Sequence, residues 1–136
     1  VSGERIKYGL LDTSVLIAAE KGGPLRVEGL PETAATSIVT VAELRAGILA
    51  APDIESRDRR LATFELISRS AVLPVDSTVA RIWAGMRAYL AAAGRSLQVN
   101  DVWIAATAAS REIPVITQDQ GFNALSGVGG LTVIEV

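Results

Sequence analysis

The chain has 136 residues, and 49% of them are hydrophobic, enough apolar material for one domain over 1–136 with a buried core. Its net charge of −2 does not exclude a polyanionic partner, because two divalent ions bound by four carboxylates would reverse the sign. With no cysteine and no histidine, disulfides, thiolate sites, imidazole ligands and paired-histidine nucleases are excluded. Any metal site must be built from oxygen, which favours Mg²⁺ or Mn²⁺ over zinc.

The opening segment, "VSGERIKYG", is polar, lacks the apolar core of a signal peptide and leads into a strand. No apolar run approaches the length of a membrane span, so a cytoplasmic protein without membrane contact is expected. "YGLLD" (8–12) reads as a short buried strand, followed by a helix over about 14–20 that "KGGP" closes. "TAATS" (33–37) is a second extended segment. Residues 38–50 read as a helix with Val39, Ala42, Glu43, Ala46 and Leu49 near one face.

"APD" then breaks the chain before a charged helix at about 53–69, whose Ile54, Leu61, Phe64 and Ile67 recur at helical spacing. "AVLPV" (71–75) is a third strand, and Asp76 or Ser77 caps a long helix that ends at Gly94. Its stripe of Val79, Ile82, Trp83, Met86 and Leu90 reads as core, with a dimer face as the other reading. A further helix covers about 100–112, and "PVITQ" (114–118) and "LTVIEV" (131–136) complete five strands. Strands alternating with helices predict a three-layer α/β/α fold around a central, mostly parallel sheet.

In such a sheet, ligands bind beyond the carboxyl ends of the strands. Asp12 stands at the end of the first strand, and Asp119 follows the fourth. Asp101 falls in the first turn of its helix on the face shared with Ile104, Ala105 and Ala108, where a lone carboxylate is costly to bury. Glu43 sits among apolar neighbours inside its helix. Each acid also has an ordinary reading. Asp12 can be an N-cap, Glu43 can close a capping box with Thr40, Asp101 can face the helix dipole, and Asp119 can make a turn with "QG". A cation binding all four would relieve their mutual repulsion, and no lysine after Lys21 is available to do so.

Other acidic-site folds fail on particular residues. A receiver-type phosphotransfer domain needs a lysine near its last strands, and both lysines lie before residue 22. A haloacid-dehalogenase-type phosphatase needs a second aspartate where this chain has Ser14. No GxxxxGK[ST] or GxGxxG occurs to cradle a nucleotide.

The segments "LLDTSVLI", "TVAELRAG", "NDVWIAATA" and "VITQDQGF", in this order, closely resemble the PIN-domain ribonucleases, and more narrowly the VapC-type toxins of bacterial toxin–antitoxin pairs. The resemblance covers nearly the whole chain. By motif matching it implies an acidic metal-binding quartet at Asp12, Glu43, Asp101 and Asp119, with supporting roles for Ser14, Thr117 and Asn100. It further implies an RNA substrate, a cognate VapB-like antitoxin, and a homodimer within a larger complex. The chain departs from the pattern at Gly121, where members often carry a further acid, so Asp119 must supply the fourth carboxylate alone.

The implied reaction is Mg²⁺-assisted hydrolysis of RNA, with Mn²⁺ as a substitute, leaving 5′-phosphate and 3′-hydroxyl ends. The other reading is a degenerate PIN module that binds RNA or a protein partner without cutting. Arg45, two residues past Glu43, is a candidate for gripping substrate. Arg57, Arg59 and Arg60 form a basic patch that also reads as a solvated helix face.

Overall fold

The structure, a computed structural model, describes residues 5–136; the first four residues of the polar opening segment lie outside that range. Five strands form one parallel sheet: β1 (Tyr8–Leu11), β2 (Thr33–Ser37), β3 (Ala71–Leu73), β4 (Val115–Thr117) and β5 (Val133–Glu135), in the order β3-β2-β1-β4-β5. The helices are α1 (Thr13–Glu20), α2 (Ile38–Leu49), α3 (Ile54–Ser68), α4 (Ser77–Ala92) and α5 (Val99–Ser110). From β1 the chain builds outward through β2 and β3, then returns to the other side of β1 for β4 and β5. The strand order therefore reverses between β1 and β4, and the crevice at their carboxyl ends is where such sheets bind ligands.

Alternation along the strands explains the layers. Leu10 and Val115 pack with Val79, Met86, Leu90 and the buried face of α5, whereas Leu11 and Ile116 pack with Val15 of α1 on the opposite face. α3 is attached more lightly, through Ile67 against Leu16 and Leu44. α5 is alanine-rich and wholly buried from Val102 to Ala109 apart from a partly exposed Trp103; small side chains let it press close to the sheet and to α4.

Three strands are shorter than the sequence suggests. β3 stops before Pro74 and β4 begins after Pro114, since proline has no N–H to donate to a ladder. β5 covers only the middle of "LTVIEV". The largest difference is on α2, where the buried positions are Thr40, Leu44 and Ile48, four residues apart, while Ala42 and Ala46 are exposed and Leu49 is 81% exposed. Alanine is compatible with either face, so it gave the expected stripe no discriminating power. On α3, Ile54 is exposed and Ile67 is buried.

The long helix follows its predicted cap. Asp76 accepts a hydrogen bond from the Val79 N–H at 2.9 Å, and Val79, Met86 and Leu90 of the predicted stripe are buried. Asp76→Ala should therefore cost about 0.5–2 kcal/mol. In urea unfolding this appears as a lower midpoint with an unchanged slope.

Candidate functional site

The four acids reach one cleft from four elements. Asp12 follows β1 directly and is the N-cap of α1; Glu43 lies in α2; Asp101 is in the first turn of α5; Asp119 lies two residues beyond β4. The cleft has a volume of about 560 Å³ and is lined by all four, together with Thr13, Ser14, Ile17, Ser96, Leu97 and Gln98.

Each acid except Asp101 is held at one oxygen by a neutral donor. Asp12, only 2% exposed, accepts at Oδ2 from the Ser14 hydroxyl (2.7 Å), the Thr117 hydroxyl (2.9 Å) and more weakly the Ser14 N–H (3.4 Å). Its Oδ1 has no protein partner among the described residues. Glu43 accepts at Oε1 from the Thr13 hydroxyl at 2.7 Å. Asp119 accepts at Oδ1 from the Gly121 N–H at 2.8 Å, and its own N–H donates to Thr117 Oγ1 at 2.9 Å. Asp101 accepts no hydrogen bond among the described residues. Its carboxyl is pushed up from 3.8 to about 7, by burial first and then by the charges of Asp12, Asp119 and Glu43.

The ordinary readings of these acids turn out partly compatible with the cleft. Asp12 does cap α1 and Asp119 does cap the helical turn Gln120–Leu125, yet each keeps one oxygen for the cleft. The capping box does not form: Ser37 caps α2 by accepting from the Val39 N–H, and Glu43 turns to Thr13 instead. Gly121 sits tightly packed. A Cβ there would stand 3.1 Å from both Asp119 Oδ1 and Leu97 Cδ1, so a side chain at this position would crowd the carboxylate that Gly121 holds.

Ser14 and Thr117 both contact Asp12, and Ser14 Oγ also receives the Gln118 N–H at 3.0 Å. Asn100 is exposed and outside the cleft lining. Arg45 is likewise outside it; its guanidinium lies 5.2 Å from the centre of the Phe64 ring. In the basic patch, Arg59 pairs with Glu55 at 3.4 Å, and Arg60 donates to the Gly47 carbonyl at 2.6 Å. Thr13, Ser96 and Gln98 line the cleft without having been singled out by the motifs. Thr13 offered one legible signal, a hydroxyl directly after the first acid.

The donor set fits a hard divalent cation. All the candidate ligand atoms are carboxylate oxygens, their protein partners are neutral, and no salt bridge to any of the four exists among the described residues. Among the described residues no three acidic side chains are grouped closely enough to hold an ion as they stand. Occupancy therefore requires side-chain adjustment, and Asp101 is the acid that no donor restrains.

Fold and cleft together define an α/β protein with an acidic crevice at the switch point of a parallel sheet. The PIN domain profile matches residues 9–128. The chain is 51% identical to Ribonuclease VapC5 of Mycobacterium tuberculosis over 94% of its own length and 95% of that protein, and 38% identical to Ribonuclease VapC4 of the same organism over 94% and 98%. It superposes on the crystal structure of VapBC-5, a member of the VapBC toxin–antitoxin family from M. tuberculosis, with a TM-score of 0.88, 48% identity and coverage of 95% and 98%. The chain belongs to the PIN-domain family, in its VapC branch.

Proposed function

We propose that this chain is a divalent-metal-dependent endoribonuclease that acts as the toxin of a toxin–antitoxin pair. The observation carrying this reading is the convergence of four carboxylates from four elements on one cleft, with neutral partners only. Mg²⁺ or Mn²⁺ bound there supplies a water of lowered pKa and stabilises charge on the phosphate oxygens.

The chain's own residues do the rest. Asp12, Glu43 and Asp101 would hold the cation. Ser14 and Thr117 occupy Asp12 Oδ2 and so leave Oδ1 for it. Gly121 does the same for Asp119, whose Oδ2 can hold a cation or orient the attacking water. With no histidine in the chain, the imidazole pair that drives attack by the ribose 2′-hydroxyl in paired-histidine nucleases is missing. Hydrolysis should leave 5′-phosphate and 3′-hydroxyl ends.

The partner proposed is a VapB-like antitoxin that covers the cleft, with the toxin itself a homodimer. Support comes from the VapBC-5 neighbour and from the DNA-bound VapBC of Salmonella typhimurium, which matches with a TM-score of 0.76 at 27% identity. Among the described residues no helix is long and apolar enough to cross a membrane.

Purified protein should cleave cellular RNA in Mg²⁺ or Mn²⁺ and stop cleaving in EDTA, with the ends identified by phosphatase and ligation assays. Cleavage that survives chelation, or 2′,3′-cyclic ends, contradicts the proposal. Binding of RNA without cleavage of any cellular RNA supports the degenerate module instead.

A further inference from the structure

Glu43 occupies an unusual place among the four acids. On α2 it lies beside the exposed Ala42 and Ala46, at the border of the buried row formed by Thr40, Leu44 and Ile48. A glutamate at such a border has three side-chain torsions to fix and water within reach, so its direction is not set by packing. A specific contact sets it. Thr13 Oγ1, on the first residue of α1, is 2.7 Å from Glu43 Oε1 and 3.0 Å from Thr40 Oγ1.

A hydroxyl carries one hydrogen, and an ionised carboxylate can only accept. The Thr13 hydrogen therefore goes to Glu43, the shorter of its two contacts, and Thr40 Oγ1 is a second acceptor within reach of the same hydroxyl. Thr40 is fully buried, so Thr13 stands against a hydroxyl held in the core. The bond from Thr13 occupies Glu43 Oε1, and Oε2 accepts no hydrogen bond among the described residues.

We infer that Thr13 is a positioning residue for Glu43: it aims this carboxylate at the cation. The inference rests on the metal-site reading of the cleft. It gives the tripeptide Asp12-Thr13-Ser14 a divided task. Ser14 turns back to Asp12 and across to Thr117, while Thr13 reaches to the other side of the cleft. A purely structural role, in which Thr13 only ties α1 to α2, predicts a change in thermal midpoint without a specific change in cation affinity.

The test is Mn²⁺ binding, followed by the electron paramagnetic resonance signal of the free ion, on wild type, Thr13→Val and Thr13→Ser. Valine keeps the size and removes the hydroxyl. It should weaken Mn²⁺ binding about tenfold, the loss typical when a partner that orients a ligand is removed. Serine restores the hydroxyl and should stay within about threefold of wild type. Half-maximal RNA cleavage should shift to higher Mn²⁺ by the same factor in Thr13→Val, with kcat recovered at saturating Mn²⁺. In a Glu43→Gln background the valine should add little, because its effect runs through Glu43.

Wild-type affinity in Thr13→Val, failure of serine to rescue, or an equal loss in the Glu43→Gln background overturns the inference. A wild type that binds no Mn²⁺ overturns it together with the metal-site reading. Wild-type binding with unchanged Thr13→Val overturns this inference alone.

Discussion

Asp12→Asn is expected to reduce RNA cleavage by on the order of 10³-fold, about 4 kcal/mol, while the fold stands. Asparagine has the shape of aspartate, and its amide oxygen can take the place of Oδ2 as acceptor for Ser14 and Thr117. That orientation turns the amide NH₂ to where Oδ1 faced the cleft. A donor then stands where the proposed cation would take a ligand, and one negative charge is gone. The cap of α1 survives, so thermal stability should change little.

Alanine at the same position behaves differently. It leaves the Ser14 and Thr117 hydroxyls short of an acceptor and removes the cap, which should cost about 1–3 kcal/mol. The pair of variants separates chemistry from structure. In cells, Asp12→Asn should no longer arrest growth when expressed without the antitoxin, yet should still co-purify with it. Growth arrest by a stably folded Asp12→Asn protein would show that toxicity does not run through this cleft.

The acids were legible because they stand at places topology makes special. Asp12 and Asp119 follow the two strands that flank the switch point, which the strand order sets between β1 and β4. Asp101 was legible from helical spacing, since Ile104, Ala105 and Ala108 on its face are all fully buried. What sequence spacing could not give was the aim of side chains between elements. Thr13 reaches Glu43 thirty residues away, through the packing of α1 against α2.

Neighbouring positions on a helix face different sides. Arg45 is two residues from Glu43, and it meets Phe64 and not the cleft. Asn100, which the family motif pairs with Asp101, is exposed and outside the cleft lining. For Asp12 and Asp119 the ordinary reading and the cleft reading are compatible. A carboxylate has two oxygens, and a cap or turn requires only one. Asp12 and Asp119 use that freedom by spending one oxygen on the local backbone or a hydroxyl and keeping the other for the cleft. Gly121 fits this economy: its N–H holds Asp119, and a side chain there would press on the same oxygen.

The stored repulsion should be measurable without any substrate, and Asp101 is where to measure it. Its folded carboxyl sits at about 7 against an ordinary 3.8. Between those values the folded protein holds a proton that the unfolded chain has released. Stability contributed by this group is therefore lost as pH rises through that window, and the penalty is complete above about pH 7. A fully buried group with this shift would cost roughly 4 kcal/mol. Water at the cleft mouth screens part of it, leaving an expected penalty of about 1–2 kcal/mol. Asp101→Asn removes the charge and with it the penalty. In EDTA at pH 8 its thermal midpoint should exceed wild type by about 3–8 °C, and the gap should narrow towards pH 4. Asp101→Ala should also lose nothing in EDTA, because Asp101 accepts no capping hydrogen bond among the described residues. Excess Mg²⁺ or Mn²⁺ should reverse the ranking: it stabilises the wild type by mass action and the variants much less. If instead both variants are clearly destabilised in EDTA, and the wild-type midpoint ignores both metals, Asp101 is a structural residue of α5 and the four acids do not form a cation site.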